Sequence, residues 1–205
     1  MKKAVKTSSD SRPGVSNKRS AILRAAIKVF AGKGYFSSKV SDIAGEAGIA
    51  DGTVYLYFKS KDEILRSIFD RAMEEFISEG KRELDGIESP SDRLRRIAGL
   101  HLEKLGSDRD LAVVFQVELR GSTKFMREFS AAGFADYLDI IRVTIEDGQK
   151  SGKFRDDVKP ITAAKIFYGA LDEMVTNWIL SKQSYDLAPM ANDVMNIFLG
   201  GMLRP

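Results

Sequence analysis

An all-α fold is what this sequence predicts, on three observations. Apolar residues recur at spacings of three and four in one segment after another. No stretch shows the strict alternation that a half-buried strand requires. Glycines, prolines and Ser/Asp caps divide the apolar segments at helix-length intervals. At 205 residues the chain can bury a substantial core in one or two domains. The pattern divides into residues 1–16, a polar arm, residues 17–62, a three-helix head, and residues 63–205, a helical body, with about nine helices in all.

The arm, MKKAVKTSSDSRPGVS, is basic, contains Pro13-Gly14 and has no periodicity, so it is expected to be disordered. It either adds attraction for a polyanion or is an idle tail. A first helix is expected over 17–33, with Ile22, Ala25, Ala26, Val29 and Phe30 on one face and Gly32 and Gly34 at its end. Tyr35 and Phe36 are then positioned to plug a small core, and Ser37 or Ser38 to cap the next helix.

Residues 40–65, VSDIAGEAGIADGTVYLYFKSKDEIL, carry the most information. Val40, Ile43, Ala44 and Ala47 make one narrow apolar face, and Gly48 follows where the chain must turn sharply. Asp51 or Gly52 opens a short helix through Val54, Tyr55 and Phe58. A tight helix pair with glycine at the corner is a helix-turn-helix pattern, although two ordinary core helices have the same periodicity. Charge favours the first alternative. Residues 1–60 hold 11 Lys+Arg against 4 Asp+Glu, a balance of +7, while the rest hold 21 against 25, or −4, giving +3 overall. Such a split suggests that the N-terminal end meets a polyanion.

Ser60 with Glu63 is a capping box for a fourth helix running to about Leu84, with Ile64, Ile68, Phe76 and Ile77 facing inward. Ser89-Pro90 opens a helix through Leu105, and Gly106-Ser107-Asp108 caps another through Leu119. A long helix is expected over about 123–151, then one from Pro160 to Leu180 and a last from Leu187 to about Met202. The last two have apolar bands too broad for a helix with one side in solvent. Intrachain core and pairing with the same helices of a second copy both account for that.

Composition narrows the chemistry. Zero cysteines exclude disulfides, thiolate metal sites and cysteine nucleophiles. The single histidine, His101, has no second histidine with which to share a metal, makes a Ser-His-Asp triad improbable, and is expected on a helix surface or in the core. No apolar run approaches the ~18–20 residues that span a bilayer, and no signal-peptide core follows the basic start. A cytoplasmic protein that is not an enzyme and uses no metal or cofactor is the expectation.

The run GYFSSKVSDIAGEAGIADGTVYLYFKSKDEIL resembles the DNA-binding domain of TetR-family transcriptional regulators, with the likeness covering about residues 17–65. The resemblance implies homodimers formed through the last two helices, with the third helix of each head in a major groove. Asp51, Gly52, Thr53, Tyr55 and Tyr57 would be its exposed residues, while Val54 and Phe58 stay inside. Lys59 and Lys61 would add charge beyond it, and Lys39 with the backbone amide at Val40 would hold the opposite phosphates. Two heads would read a pseudo-palindromic double-stranded operator with half-sites ~34–36 Å apart.

The segments LAVVFQVELRGS and FYGALDEMVTNWILSKQSYDLAPM extend the likeness to the FadR-type branch, repressors of fatty-acid degradation that respond to long-chain acyl-CoA. The resemblance thus implies an acyl-CoA effector in the body. The apolar side chains of Leu105, Phe115, Leu119, Phe134, Leu138, Phe167, Leu171 and Trp178 are compatible with a tunnel for its chain, and core residues of a helical bundle account for them as well. An effector of another apolar class, as in efflux regulators, is the alternative. The polar set Gln116, Glu118, Arg120, Asp172, Glu173, Thr176 and Asn177 is harder to explain as core, and Gln116 and Arg120 share a helix face. Arg120 is left two roles, a coenzyme A phosphate or an ion pair with Glu118, Asp172 or Glu173.

Overall fold

The computed structural model describes residues 13–121, 123–130 and 133–203. They form two compact units that divide between Leu65 and Arg66. Among the described residues there are ten α-helices and no strand, only an isolated antiparallel bridge between Phe154 and Leu203.

The first unit contains α1 (Pro13–Lys33), α2 (Val40–Ala47), α3 (Asp51–Tyr55) and the start of α4 (Lys61–Leu84). Helix α1 begins four residues inside the expected arm, because Pro13 has the fixed φ of a first helical residue and no N–H to leave unsatisfied. Residues 1–12, the rest of that arm, lie outside the described residues. Ile22, Ala26, Phe30, Ile43, Ala44, Val54, Phe58, Ile64 and Leu65 close the core at 0–1 % exposure. The turn between α2 and α3 depends on Gly48, whose φ of 66° lies in the left-handed region. The Ile49 N–H reaches back 3.0 Å to the Ala44 carbonyl and completes the helix end.

Two expectations for this unit are corrected. Tyr35 is buried and edge-on to Phe30, but Phe36 is 69 % exposed, its ring set edge-on against the outer side of Tyr35 at 5.3 Å. Neither Ser37 nor Ser38 caps α2. The Ser38 hydroxyl turns back to donate to the Gly34 carbonyl at 2.6 Å, which moves the cap to Lys39. The Asp42 carboxylate accepts from the Lys39 N–H at 2.8 Å.

The second unit holds the rest of α4, then α5 (Pro90–Gly106), α6 (Arg109–Val113), a π-helical turn (Val114–Glu118), α7 (Thr123–Ser130), α8 (Gly133–Lys150), α9 (Pro160–Leu180) and α10 (Met190–Met202). The Ser60 and Ser89 hydroxyls and the Asp108 carboxylate each accept from an N–H three residues on, starting α4, α5 and α6 as their sequences require. Helix α5 packs against α8, α9 and α10, and α8 lies along α9. The Phe154 ring sits so close to α8 that a Cβ on Gly148 would be 2.1 Å from it.

The body also departs from expectation in three places. The single helix expected over 123–151 is two, α7 and α8, which raises the count from nine to ten. The helix expected through Leu119 changes to π geometry at Val114, where the Leu119 N–H bonds to the Val114 carbonyl at 3.1 Å, five residues back. Helix α10 starts at Met190, not Leu187, because Leu187 is buried against Gly106 and Pro189 occupies the N-cap.

Candidate functional site

The outward face of the head is set by which α3 residues its core consumes. Val54 and Phe58, four apart, point inward at 0 % and 1 % exposure. This leaves Asp51, Gly52, Tyr55 and Leu56 exposed, with Thr53 and Tyr57 half-buried. The expected set is therefore modified. Tyr57 is turned partly inward, and Leu56, unassigned by the sequence, is 82 % exposed. Lys39 and Lys59 are exposed, and Val40 is half-buried at the start of α2. Lys61 serves within the unit. Its ammonium donates to the Tyr35 and Ser38 carbonyls at 2.6 and 2.8 Å and lies 4.4 Å from the centre of the Tyr35 ring. It thereby pins the loop that presents Lys39 and Val40. The Tyr35 hydroxyl donates to Asp62, and Lys33 donates to Asp42 at 2.7 Å, which holds the Asp42 carboxyl below its ordinary range.

The second unit encloses a cavity of about 70 Å³. Met73 and Phe76 of α4 form one wall, and His101, Lys104 and Leu105 of α5 another. Phe115 and Gln116 of the π turn, Phe134 and Tyr137 of α8, and Tyr168 and Asp172 of α9 line it further, with Ala72 and Glu75 of α4 and Leu111 of α6. The aromatic walls interlock edge to face, Phe76 on Tyr137 at 4.9 Å, Phe134 on Tyr168 at 4.8 Å and Phe69 on Phe115 at 4.7 Å.

One end of the cavity is polar. Asp172, 7 % exposed, accepts from the Gln116 amide at 2.7 Å, from the Tyr168 hydroxyl at 2.9 Å and from Arg120. Thr176 donates to the Gln116 carbonyl oxygen at 3.1 Å. These partners satisfy a carboxylate that burial alone would penalise heavily. Burial, and then the Asp172 charge, raise the Tyr168 phenol above its ordinary range. His101 is 6 % exposed, and its Nδ1 is 3.1 Å from the Tyr137 hydroxyl while its Nε2 has no hydrogen-bond partner among the described residues. Burial pushes its pKa down to about 4, against the opposing pull of Asp172, so the ring is neutral near pH 7.

Of the residues expected around a ligand, Leu105, Phe115, Gln116 and Phe134 line this cavity. Leu119, Arg120, Leu138, Phe167, Leu171 and Trp178 do not. Phe167 packs on Phe198 at 5.0 Å, Leu119 and Leu171 are core, and Leu138 is half-buried against it. Trp178 donates to the Tyr185 carbonyl at 2.9 Å beneath the Arg109 guanidinium. Arg120 is committed to Asp172, the ion pair among its two roles. Glu173 instead accepts from Asn177 on the surface at 2.7 Å. Sequence reasoning missed Met73, Phe76, Lys104, Tyr137 and Tyr168, and left His101 as ordinary core or surface. The available signal was the Met73/Phe76 and His101/Lys104 spacing of three, one turn apart on two helices.

A third feature is an apolar groove between α9 and α10, lined by Ala163, Ile166, Ala170, Met174, Val194, Ile197 and Phe198. Ile166 and Ile197 stand 60 % and 80 % exposed beside it. Among the described residues no helix is long and apolar enough to cross a membrane, and no group of three or more His, Asp or Glu is placed to hold a metal ion.

Residues 22–68 match the bacterial regulatory proteins of the tetR family, and residues 69–201 match the YsiA-like protein C-terminal region. A fatty acid metabolism regulator protein of Bacillus subtilis is 35 % identical over 181 residues, 88 % of this chain and 93 % of its own length. The solved structure of the fatty acid degradation regulator FadR from Bacillus halodurans superposes with a TM-score of 0.86 at 33 % identity, covering 94 % of this chain and 97 % of that one. The FadR of Bacillus subtilis, solved in complex with stearoyl-CoA, gives 0.83 at 34 % identity, covering 89 % and 98 %. These relatives are regulators, not enzymes. With matching family descriptions running from residue 22 to residue 201 and these likenesses spanning nearly all of both partners, the chain belongs to the TetR family and is a TetR-type transcriptional regulator.

Proposed function

We propose that the chain is a homodimeric, cytoplasmic repressor of fatty-acid degradation genes that leaves its operator when a long-chain acyl-CoA enters the body of each subunit. The observation that carries this is the cavity itself, aromatic-walled with one polar end, in a chain about one third identical to a regulator solved with stearoyl-CoA. At about 70 Å³ it is well below the ~300–1,000 Å³ of a typical small-molecule site. A long acyl chain must therefore displace Met73, Phe76, Phe115 and Phe134, adaptable side chains able to part for a flexible apolar guest. Lys104, half-buried one turn beyond His101 and donating to Glu79 at 3.0 Å, is the cation on the cavity wall suited to a phosphate of coenzyme A. That is the role the sequence offered to Arg120.

DNA binding is assigned to Asp51, Gly52, Thr53 and Tyr55 with Lys59 and Lys39, the Val40 amide completing the phosphate clamp. Tyr57 contributes an edge, and Lys61 acts by fixing the loop. Dimerisation is assigned to the α9–α10 groove, which a second copy would cover with the same two helices as a four-helix bundle.

Parting the walls moves α4, the helix that begins in the first unit and lines the cavity in the second. A ligand that favours the parted state weakens operator binding by its differential affinity for the two states. A hundredfold loss needs about 2.7 kcal/mol of coupling, modest beside the ~0.8 kcal/mol of each buried methylene. A gel shift with the promoter beside its own gene, titrated with acyl-CoAs of several lengths, tests this. Release by long-chain thioesters is expected, and unchanged binding at saturating long-chain acyl-CoA removes acyl-CoA as the effector.

A further inference from the structure

A residue lining the cavity holds one buried polar atom that the described residues leave unmatched. His101 is almost wholly buried, and among the described residues its Nε2 has no hydrogen-bond partner. Such an atom incurs the full cost of desolvation, which native interiors rarely leave uncompensated. The other ring nitrogen decides its chemistry. Among the described residues the Tyr137 hydroxyl has Nδ1 as its one hydrogen-bond partner, at 3.1 Å. A phenol O–H donates to its only available acceptor, so Nδ1 accepts and the ring proton resides on Nε2. The unmatched atom is therefore an N–H donor on a residue that lines the cavity together with Met73, Phe76, Phe134 and Tyr137, and with Gln116 and Asp172 at its polar end.

What this donor can hold is limited by its neighbours. The ring is neutral near pH 7, as burial dictates, so it offers a hydrogen bond without a charge. Asp172 lines the same cavity from α9, as the carboxylate that Gln116, Tyr168 and Arg120 satisfy. A second carboxylate beside it would be repelled and poorly solvated. A neutral carbonyl oxygen meets neither penalty.

We propose that His101 is a specificity-determining residue whose Nε2–H donates to the carbonyl oxygen of an uncharged acyl group, so that the cavity takes acyl thioesters and rejects free fatty acids. This rests on the acyl-CoA reading and assigns the atom that recognises the linkage. Lys104, three residues on and half-exposed on the same α5 face, places the donor one turn from a polar edge of the cavity. There a thioester would sit with its chain inside and its carrier outside.

The test is calorimetric titration of the full chain with palmitoyl-CoA, with S-hexadecyl-CoA, a thioether that lacks only the carbonyl oxygen, and with palmitate. Wild type should prefer palmitoyl-CoA to the thioether by about tenfold and to palmitate by more, since a site built around a hydrogen bond disfavours the analogue that cannot make it. His101→Leu should bring the thioester-to-thioether ratio close to one by losing affinity for the thioester alone. His101→Gln, which keeps an N–H near the Nε2 position, should retain most of the preference. A wild-type ratio near one, an unaltered ratio in His101→Leu, or palmitate binding as tightly as palmitoyl-CoA each overturns the assignment while leaving the acyl-CoA reading intact. Failure of both coenzyme A compounds to bind overturns both.

Discussion

The two units solve different problems with the same helical material. In the first, nine apolar side chains close a core at 0–1 % exposure, and the polar groups around it are tied locally, Ser38 to Gly34, Lys61 to two carbonyls and Tyr35 to Asp62. In the second, the core is interrupted by a cavity, a π-helical turn and a buried histidine with a nitrogen unmatched among the described residues. A surface that must fit a fixed DNA groove is best held by a core without slack. A site that must admit a flexible guest is drawn from packing that can part, and such looser regions have lower local stability.

The largest effect that sharpens this contrast is expected from Phe58→Ala. It empties a site 1 % exposed in a core with no spare volume, costing about 3–5 kcal/mol. Operator binding should vanish while calorimetric ligand binding by the body persists; loss of both together would show that the units do not act separately. Acid comes next. Because folding lowers the His101 pKa from 6.5 to about 4, the unfolded chain binds the extra proton between those values. Stability therefore falls as pH drops through that window, by roughly 3 kcal/mol in total. The chain has no other histidine, so the head has no matching step. Urea unfolding at pH 7 and pH 4.5, repeated on His101→Leu, should show a steeper loss in the wild type, the remainder in the variant coming from carboxylates held below their ordinary range such as Asp42 and Glu79.

Gly148→Ala follows, at about 1–3 kcal/mol, because the new methyl would overlap the buried Phe154 ring that lies 2.1 Å from its position. A thermal melt followed through the body's helices should register it. The smallest change is Gly48→Ala, about 1 kcal/mol for a side chain at positive φ in otherwise open space. Its signature is weakened operator binding with an unaltered body, since the turn sets the angle between α2 and α3.

Legibility followed the range of the forces involved. The caps at Ser60, Ser89 and Asp108, the turn at Gly48 and the span Pro160–Leu180 are local chemistry, and the sequence places each correctly. The inward Val54 and Phe58 are what the resemblance implies, and both are buried. Tertiary choices were not legible. Which of Tyr35 and Phe36 enters the head depends on packing against Phe30, and Ser38 forgoes its cap for a carbonyl in the preceding loop. In the cavity, apolar periodicity selected Phe167, Leu171 and Trp178, which share the side of α9 facing the core, while Tyr168 and Asp172 on the adjacent face reach the cavity. Lys104 and His101 look like an ordinary polar fringe until α4 and α8 are laid beside them.

The size of the cavity has one more consequence. A guest that must first prise apart interlocked rings gains nothing from its opening methylenes, and only the later ones, at about 0.8 kcal/mol each, contribute to net affinity. If the guest is an acyl thioester, short chains should fall below this threshold and long ones exceed it steeply. The protein would then work as a ruler, responding to how many carbons are present more sharply than to how much thioester surrounds it.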